Sequence, residues 1–164
     1  MSLQTDRVFY AALKASDDLA ELVDDRIFNT AIPGTDEDAD NEPVPYIVVT
    51  FDGMNNDGTS KDDPYEGDTD VVNIGIEVAA NGREQLATIA DLIRSAVHTY
   101  FSTYEYTLPD NSDEDAEEDL TDEIPEDYYF SAQAVQYDAW KPCFWQVLSY
   151  RCDTKRLDYG CYEN

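Results

Sequence analysis

Basic residues are scarce. The 164-residue chain has 10 Lys or Arg against 37 Asp or Glu, and only four of the ten are lysines: Lys14, Lys61, Lys141 and Lys155. Binding nucleic acid through its phosphates needs clustered Lys and Arg, so the composition speaks against that mode. Histidine occurs once, at His98. Cysteine occurs three times, at Cys143, Cys152 and Cys161, without a CxxC spacing, which gives neither a zinc motif nor an even disulfide set. No apolar run approaches the ~18–20 residues that a membrane-spanning helix needs, and Met1–Tyr10 has no signal-peptide pattern. The seven glycines form no Walker loop, no GxGxxG and no GxSxG elbow.

What is abundant is acid, and its type and position matter. Asp outnumbers Glu 24 to 13, for a formal charge of −27. Such a charge repels itself at ordinary salt, whereas at molar salt the Debye length falls to ~3 Å and the repulsion is mostly screened. Twelve acids lie between Asp36 and Asp70 and twelve between Glu105 and Asp127, but 13 remain outside those stretches against nine bases. The Asp-rich excess therefore extends over the body, as expected of a halophilic source. The 42% hydrophobic content, with 12 Tyr, 6 Phe and 2 Trp, excludes a wholly disordered acidic chain. The length fits one domain, residues 1–164.

Periodicity predicts the elements. Thr5 to Val23 reads as helix, with Thr5 as N-cap and a second start at Ser16-Asp17-Asp18. Tyr46–Phe51 is a β-branched and aromatic run. From Thr69 to Ala80 the chain alternates, Val72, Ile74, Ile76 and Val78 against Asn73, Gly75 and Glu77, as a half-buried strand does. After the Asn81-Gly82 turn, Leu86, Ile89, Ala90, Ile93, Ala96, Val97 and Tyr100 form one helical stripe. Tyr128–Ala139 and Cys143–Thr154 read as a hairpin turning through Trp140-Lys141-Pro142. The order helix-strand-strand-helix-strand-strand predicts an α+β fold, an antiparallel sheet packed with two main helices. Residues 36–45, 53–68 and 105–127 read as acidic loop insertions.

Little of this is catalytic. A lone helical histidine is usually structural, and nothing in the sequence brings His98 to Cys143 or Cys152. Carboxylate pairs are too common here to single one out. Asp113, Asp115, Glu117, Asp119 and Glu123 alternate as in an EF-hand loop, but Glu118 stands where that loop needs glycine. No catalytic, metal or cofactor residue is therefore assigned. Cys143 and Cys152, nine residues apart on one strand, are expected to be buried small hydrophobes rather than a bridge.

The sequence of segments resembles a known family. Leu19, Leu22 and Val23 run into Asp25-Arg26-Ile27-Phe28, then Ala31-Ile32-Pro33, Pro45-Tyr46-Ile47-Val48-Val49, Val72–Val78 and the helix Leu86–Val97. In this it is similar to the tail-completion family of long-tailed phages, which includes tail terminators at the head–tail junction. The resemblance covers roughly Leu3–Phe101, and the insertions at Asp36–Glu42 and Asp110–Asp127 depart from it. It implies a non-enzymatic virion protein without cofactors, and the Asp-rich composition makes the expected virus a halophilic, haloarchaeal one. Such a protein is assembled in the host cytoplasm and forms a ring, usually a hexamer. Its implied partners are itself, the tail-tube protein and the head–tail connector, with no membrane and no sequence-specific nucleic acid. Trp140, Phe144, Trp145, Tyr128 and Tyr129 are candidate subunit-interface residues, because aromatic anchors carry much interface energy, with core packing an equal alternative for Trp140, Phe144 and Trp145. Asp113, Glu114, Asp115, Glu117, Glu118 and Asp119 are candidates for a bore that DNA slides through without sticking; solvated, salt-adapted loops are the plainer reading. Alternatives are another neck protein (head-completion or connector-adaptor ring) and an acidic, DNA-mimic-like binding protein.

Overall fold

A computed structural model describes residues 2–56, 69–106, 124–125 and 127–155. After a 3-10 turn at Ser2–Gln4 come helices α1 (Thr5–Lys14) and α2 (Asp17–Val23), strand β1 (Ile27–Asn29) and the short helix α3 (Asp36–Asp40). Strands β2 (Tyr46–Asn56) and β3 (Thr69–Ala80), helix α4 (Arg83–Tyr106), and strands β4 (Asp127–Ala132), β5 (Gln136–Asp138) and β6 (Cys143–Lys155) follow. The fold class is α+β, as expected. The sheet order is β1-β2-β3-β6-β4, with β5 continuing beside β6. All pairings are antiparallel except β1 on β2, which is parallel.

The core lies between one face of this sheet and the helices. Val8, Phe9, Ala12 and Leu13 of α1 are buried against Ile47 and Val49 of β2 and Val72, Ile74, Ile76 and Val78 of β3. The α4 stripe is buried at Leu86, Ile89, Ile93, Val97 and Phe101, the spacing of one helical face. From β6, Leu148, Tyr150 and Cys152 complete the layer, and the Phe9 ring meets those of Phe101 and Tyr150 at 5.1 and 5.0 Å. Gly75 sits in mid-strand for a steric reason. At a bulge in β2 between Phe51 and Gly53, the Asp52 carboxylate and Thr50 hydroxyl fold over it, and a Cβ at Gly75 would meet both.

Several boundaries differ from expectation. Thr5 is the first residue of α1, not its cap; Gln4 holds that position and makes no side-chain capping bond. The restart at Ser16 is present, its hydroxyl accepting from the Leu19 amide at 3.4 Å. Within 36–45, residues Asp36–Asp40 form helix rather than loop: Thr35 and Asp38 make a capping box, and its hydrogen bonds hold the Asp38 pKa below its usual value. Residues 53–56 extend β2, because their backbone still pairs with β3 out to Asp70. At the third insertion, 105 and 106 belong to α4 and Asp127 to β4. Residues 57–68, 107–123 and 126, and with them most of the second and third insertions, lie outside the described residues. The expected final hairpin is interrupted: residues 133–135 break the strand between β4 and β5, although the Gln133 amide still donates to the Val147 carbonyl of β6 at 2.9 Å.

Candidate interaction surface

The β5–β6 turn stands at one end of the strands, beside the start of β2 and the end of β3. Asp138 fixes it, one carboxylate oxygen accepting from the backbone amides of Trp140 at 2.9 Å and Lys141 at 3.3 Å. That closes the turn without help from the indole, and Trp140 is 99% exposed. Tyr137, 58% exposed, leans on the Phe144 ring at 5.1 Å. Between them opens a hollow of about 530 Å³ lined by Tyr46, Glu77, Tyr137, Trp140, Cys143 and Trp145, among others.

The hollow combines aromatic walls with restrained charge. Lys141 Nζ sits 4.7 Å from the Tyr46 ring centre and donates to the Ala39 carbonyl at 3.3 Å, tying the turn to α3. Burial, with Glu77 and other negative groups adding to it, pushes the Tyr46 hydroxyl up to about 12. Burial also raises the Glu77 carboxyl, opposed by the Lys141 charge. The Cys143 thiol is raised by burial and then by Asp138. The upward shifts keep the Tyr46 hydroxyl and the Cys143 thiol protonated at neutral pH, so neither is a ready nucleophile. Glu77, Asp138 and Lys141 also line the hollow, which is therefore a recess of mixed aromatic and charged side chains.

The expected interface residues are dispersed. Trp140, Phe144 and Trp145 cluster at this end of the molecule, with Phe144 half-buried against the core. Tyr129 is 56% exposed on the opposite sheet face from the helices. Tyr128 points inward, its ring 5.1 Å from Phe101 and 6.0 Å from Tyr150. The acids Asp113, Glu114, Asp115, Glu117, Glu118 and Asp119 lie outside the described residues. Tyr137 was missed from sequence, although it precedes the Trp140 turn by three residues on a strand. His98, exposed on α4, shares a hydrogen bond with the Tyr128 hydroxyl at 3.3 Å, whereas Cys143 and Cys152 are buried on β6 as expected.

The family model for tail completion protein gp17 matches residues 7–121, 115 of the 164. The chain belongs to that family. It is accordingly a structural protein of a virion tail. No curated protein sequence matches it. In fold it is similar to a chain in the virion of a native gene transfer agent particle, at 15% identity and a TM-score of 0.55, covering 92% of this chain and 94% of that one. The family match takes in α1 to α4 and ends before β4, so the Trp140 turn lies beyond it.

Proposed function

We propose that this tail completion protein is a tail terminator. Six copies close into a ring on the last ring of tail-tube protein, end tube polymerisation and present the junction to the head connector. The observation that carries the reading is Trp140: a fully exposed indole on a braced turn, beside an aromatic hollow, is an anchor without a pocket in its own subunit. The turn projects at an end of the strands, joining edge strand β5 to β6, rather than along the length of the β1 or β4 edge. We therefore assign it to the next protein along the tail axis, which leaves the edges for neighbours in the ring. A ring needs heterologous contacts that close by rotation, and two unlike edges supply them. The Asp-rich charge supports assembly at high salt, in a virus of a halophilic host.

The test is polymerisation of the tail-tube protein alone and with this protein, in molar KCl, read by electron microscopy. Short tubes closed at one end by sixfold density are expected. Tubes of unchanged length, with the added protein left in the supernatant, would sink the reading. Binding to the connector but not to the tube would favour another neck role.

A further inference from the structure

The two edges of the sheet differ in charge. At the β1 edge, Glu21, Asp24 and Asp25 are all exposed where α2 turns into the strand. Arg26 is tied down there, to Asp24 at 3.1 Å and to the Pro45 carbonyl at 2.9 Å. At the β4 edge the arrangement is reversed. Helix α4 packs over β3 and β6 and leaves β4 beside it, so a groove runs between helix and edge strand. Two adjoining hollows of about 580 and 290 Å³ share Arg94 and Phe130. Arg83, Arg94 and His98, spaced 11 and 4 residues apart, come from one side of α4. Phe130, Val135 and Leu148 give the floor apolar contact, and Asp91 and Gln146 also line it.

Arg94 lies 4.4 Å over the Phe130 ring, and neither Arg83 nor Arg94 makes an ion pair among the described residues. Asp91 lines the same hollow but pairs with neither arginine. In a chain with 37 acids and 10 bases, two unpaired arginines over these apolar side chains mark a place where an incoming acid gains a charge-assisted pair. Both arginines are exposed in the single subunit; a docked subunit that covers them against these apolar side chains makes such pairs less sensitive to salt than exposed ones.

We propose that this groove takes the acidic α2–β1 edge of a second copy of the chain, with Glu21 and Asp25 meeting Arg83 and Arg94, so that subunits join head to tail. The proposal rests on the ring reading above and names its lateral interface.

Charge reversal tests it. Arg83→Glu/Arg94→Glu and Glu21→Lys/Asp25→Lys are each made in the full chain, and mass is read by sedimentation velocity in molar KCl. Wild type is expected as rings, each variant alone as the 18.6 kDa monomer, and an equimolar mixture as rings again, because each reversed face then finds its complement. Restoration on mixing also shows that both variants fold. If the variants form rings alone, or the mixture stays monomeric, the edge pairing is wrong and the ring reading stands. If wild type itself stays monomeric with and without tail-tube protein, the ring reading falls, and this interface with it.

Discussion

Replacing Trp140 with alanine should separate stability from assembly. The indole is 99% exposed and its turn is braced by Asp138 through two backbone amides, so its removal leaves no cavity and breaks no hydrogen bond. Surface changes of this kind stay within ~0.5 kcal/mol. At ~2–4 °C per kcal/mol for a chain of this size, the melting temperature should move by no more than about 2 °C. The tail contact is another matter. A Trp side chain buries ~150–250 Å², which at ~25 cal/mol per Å² sets a ceiling of about 4–6 kcal/mol. Truncation of such an anchor costs ~2 kcal/mol or more, roughly a 30-fold loss of affinity. Thermal melts, sedimentation of the ring and tube capping, measured on one preparation, separate the effects. The expected result is an unchanged melt, intact rings, and capping that needs some 30-fold more protein. Capping within threefold of wild type would refute the assignment, and a melt lowered by several degrees would refute the claim that the turn holds itself.

Other outcomes follow from the core and its buried groups. Phe9→Ala removes a fully buried ring that touches Phe101 and Tyr150, and should cost ~3–5 kcal/mol in urea unfolding; a loss under ~1 kcal/mol would contradict the packing. Burial raises the Glu77 carboxyl above its usual range, so its favourable contribution exists below the unfolded pKa and is lost as pH rises through the folded one. Glu77→Gln should therefore gain stability relative to wild type as pH rises from 4 towards neutral, and a pH-independent difference in unfolding free energy would contradict this. The Cys152 thiol is pushed up to about 12, first by burial and then by Asp153, and Cys143 is raised by burial. With both buried, no more than one of the chain's three thiols should react promptly with Ellman's reagent at pH 8 before unfolding.

The sequence was most legible where one period ran long. The alternation from Val72 to Val78 and the stripe from Leu86 to Val97 became β3 and α4, because each must bury one face and the spacing leaves one choice of face. It was least legible where pairing rather than side chains makes the element. β1 is three residues long and exists through parallel bonds to β2, so it has no periodic signal of its own. Gly53 to Asn56 look like loop residues, yet they continue the strand because β3 lies alongside. α3 has no apolar face, and only its Thr35–Asp38 capping box was there to be read. The Trp140 turn could be anticipated from Pro142 and the flanking strands. The α4–β4 groove could not: Arg83, Arg94 and His98 share a helical side in any sequence reading, but only the sheet order places Phe130 and Val135 opposite them.

The charge of −27 then makes a prediction about assembly that is the reverse of the usual one. Subunits this acidic repel over the full Debye length, ~10 Å at 0.1 M salt, which exceeds the reach of any single contact. The attractive elements assigned here are short-ranged: an apolar anchor at Trp140, and arginines over apolar side chains at the β4 edge. At ~1 M salt the Debye length falls to ~3 Å, so the repulsion is removed while contacts made within van der Waals distance survive. High salt also strengthens effective apolar burial where the anion is well hydrated. Ring formation and tube capping should both rise between 0.1 and 3 M KCl, followed by light scattering and sedimentation at constant protein concentration. Assembly strongest at 0.1 M and falling with salt would mean that exposed ion pairs hold the ring, and the α4–β4 groove would lose its role.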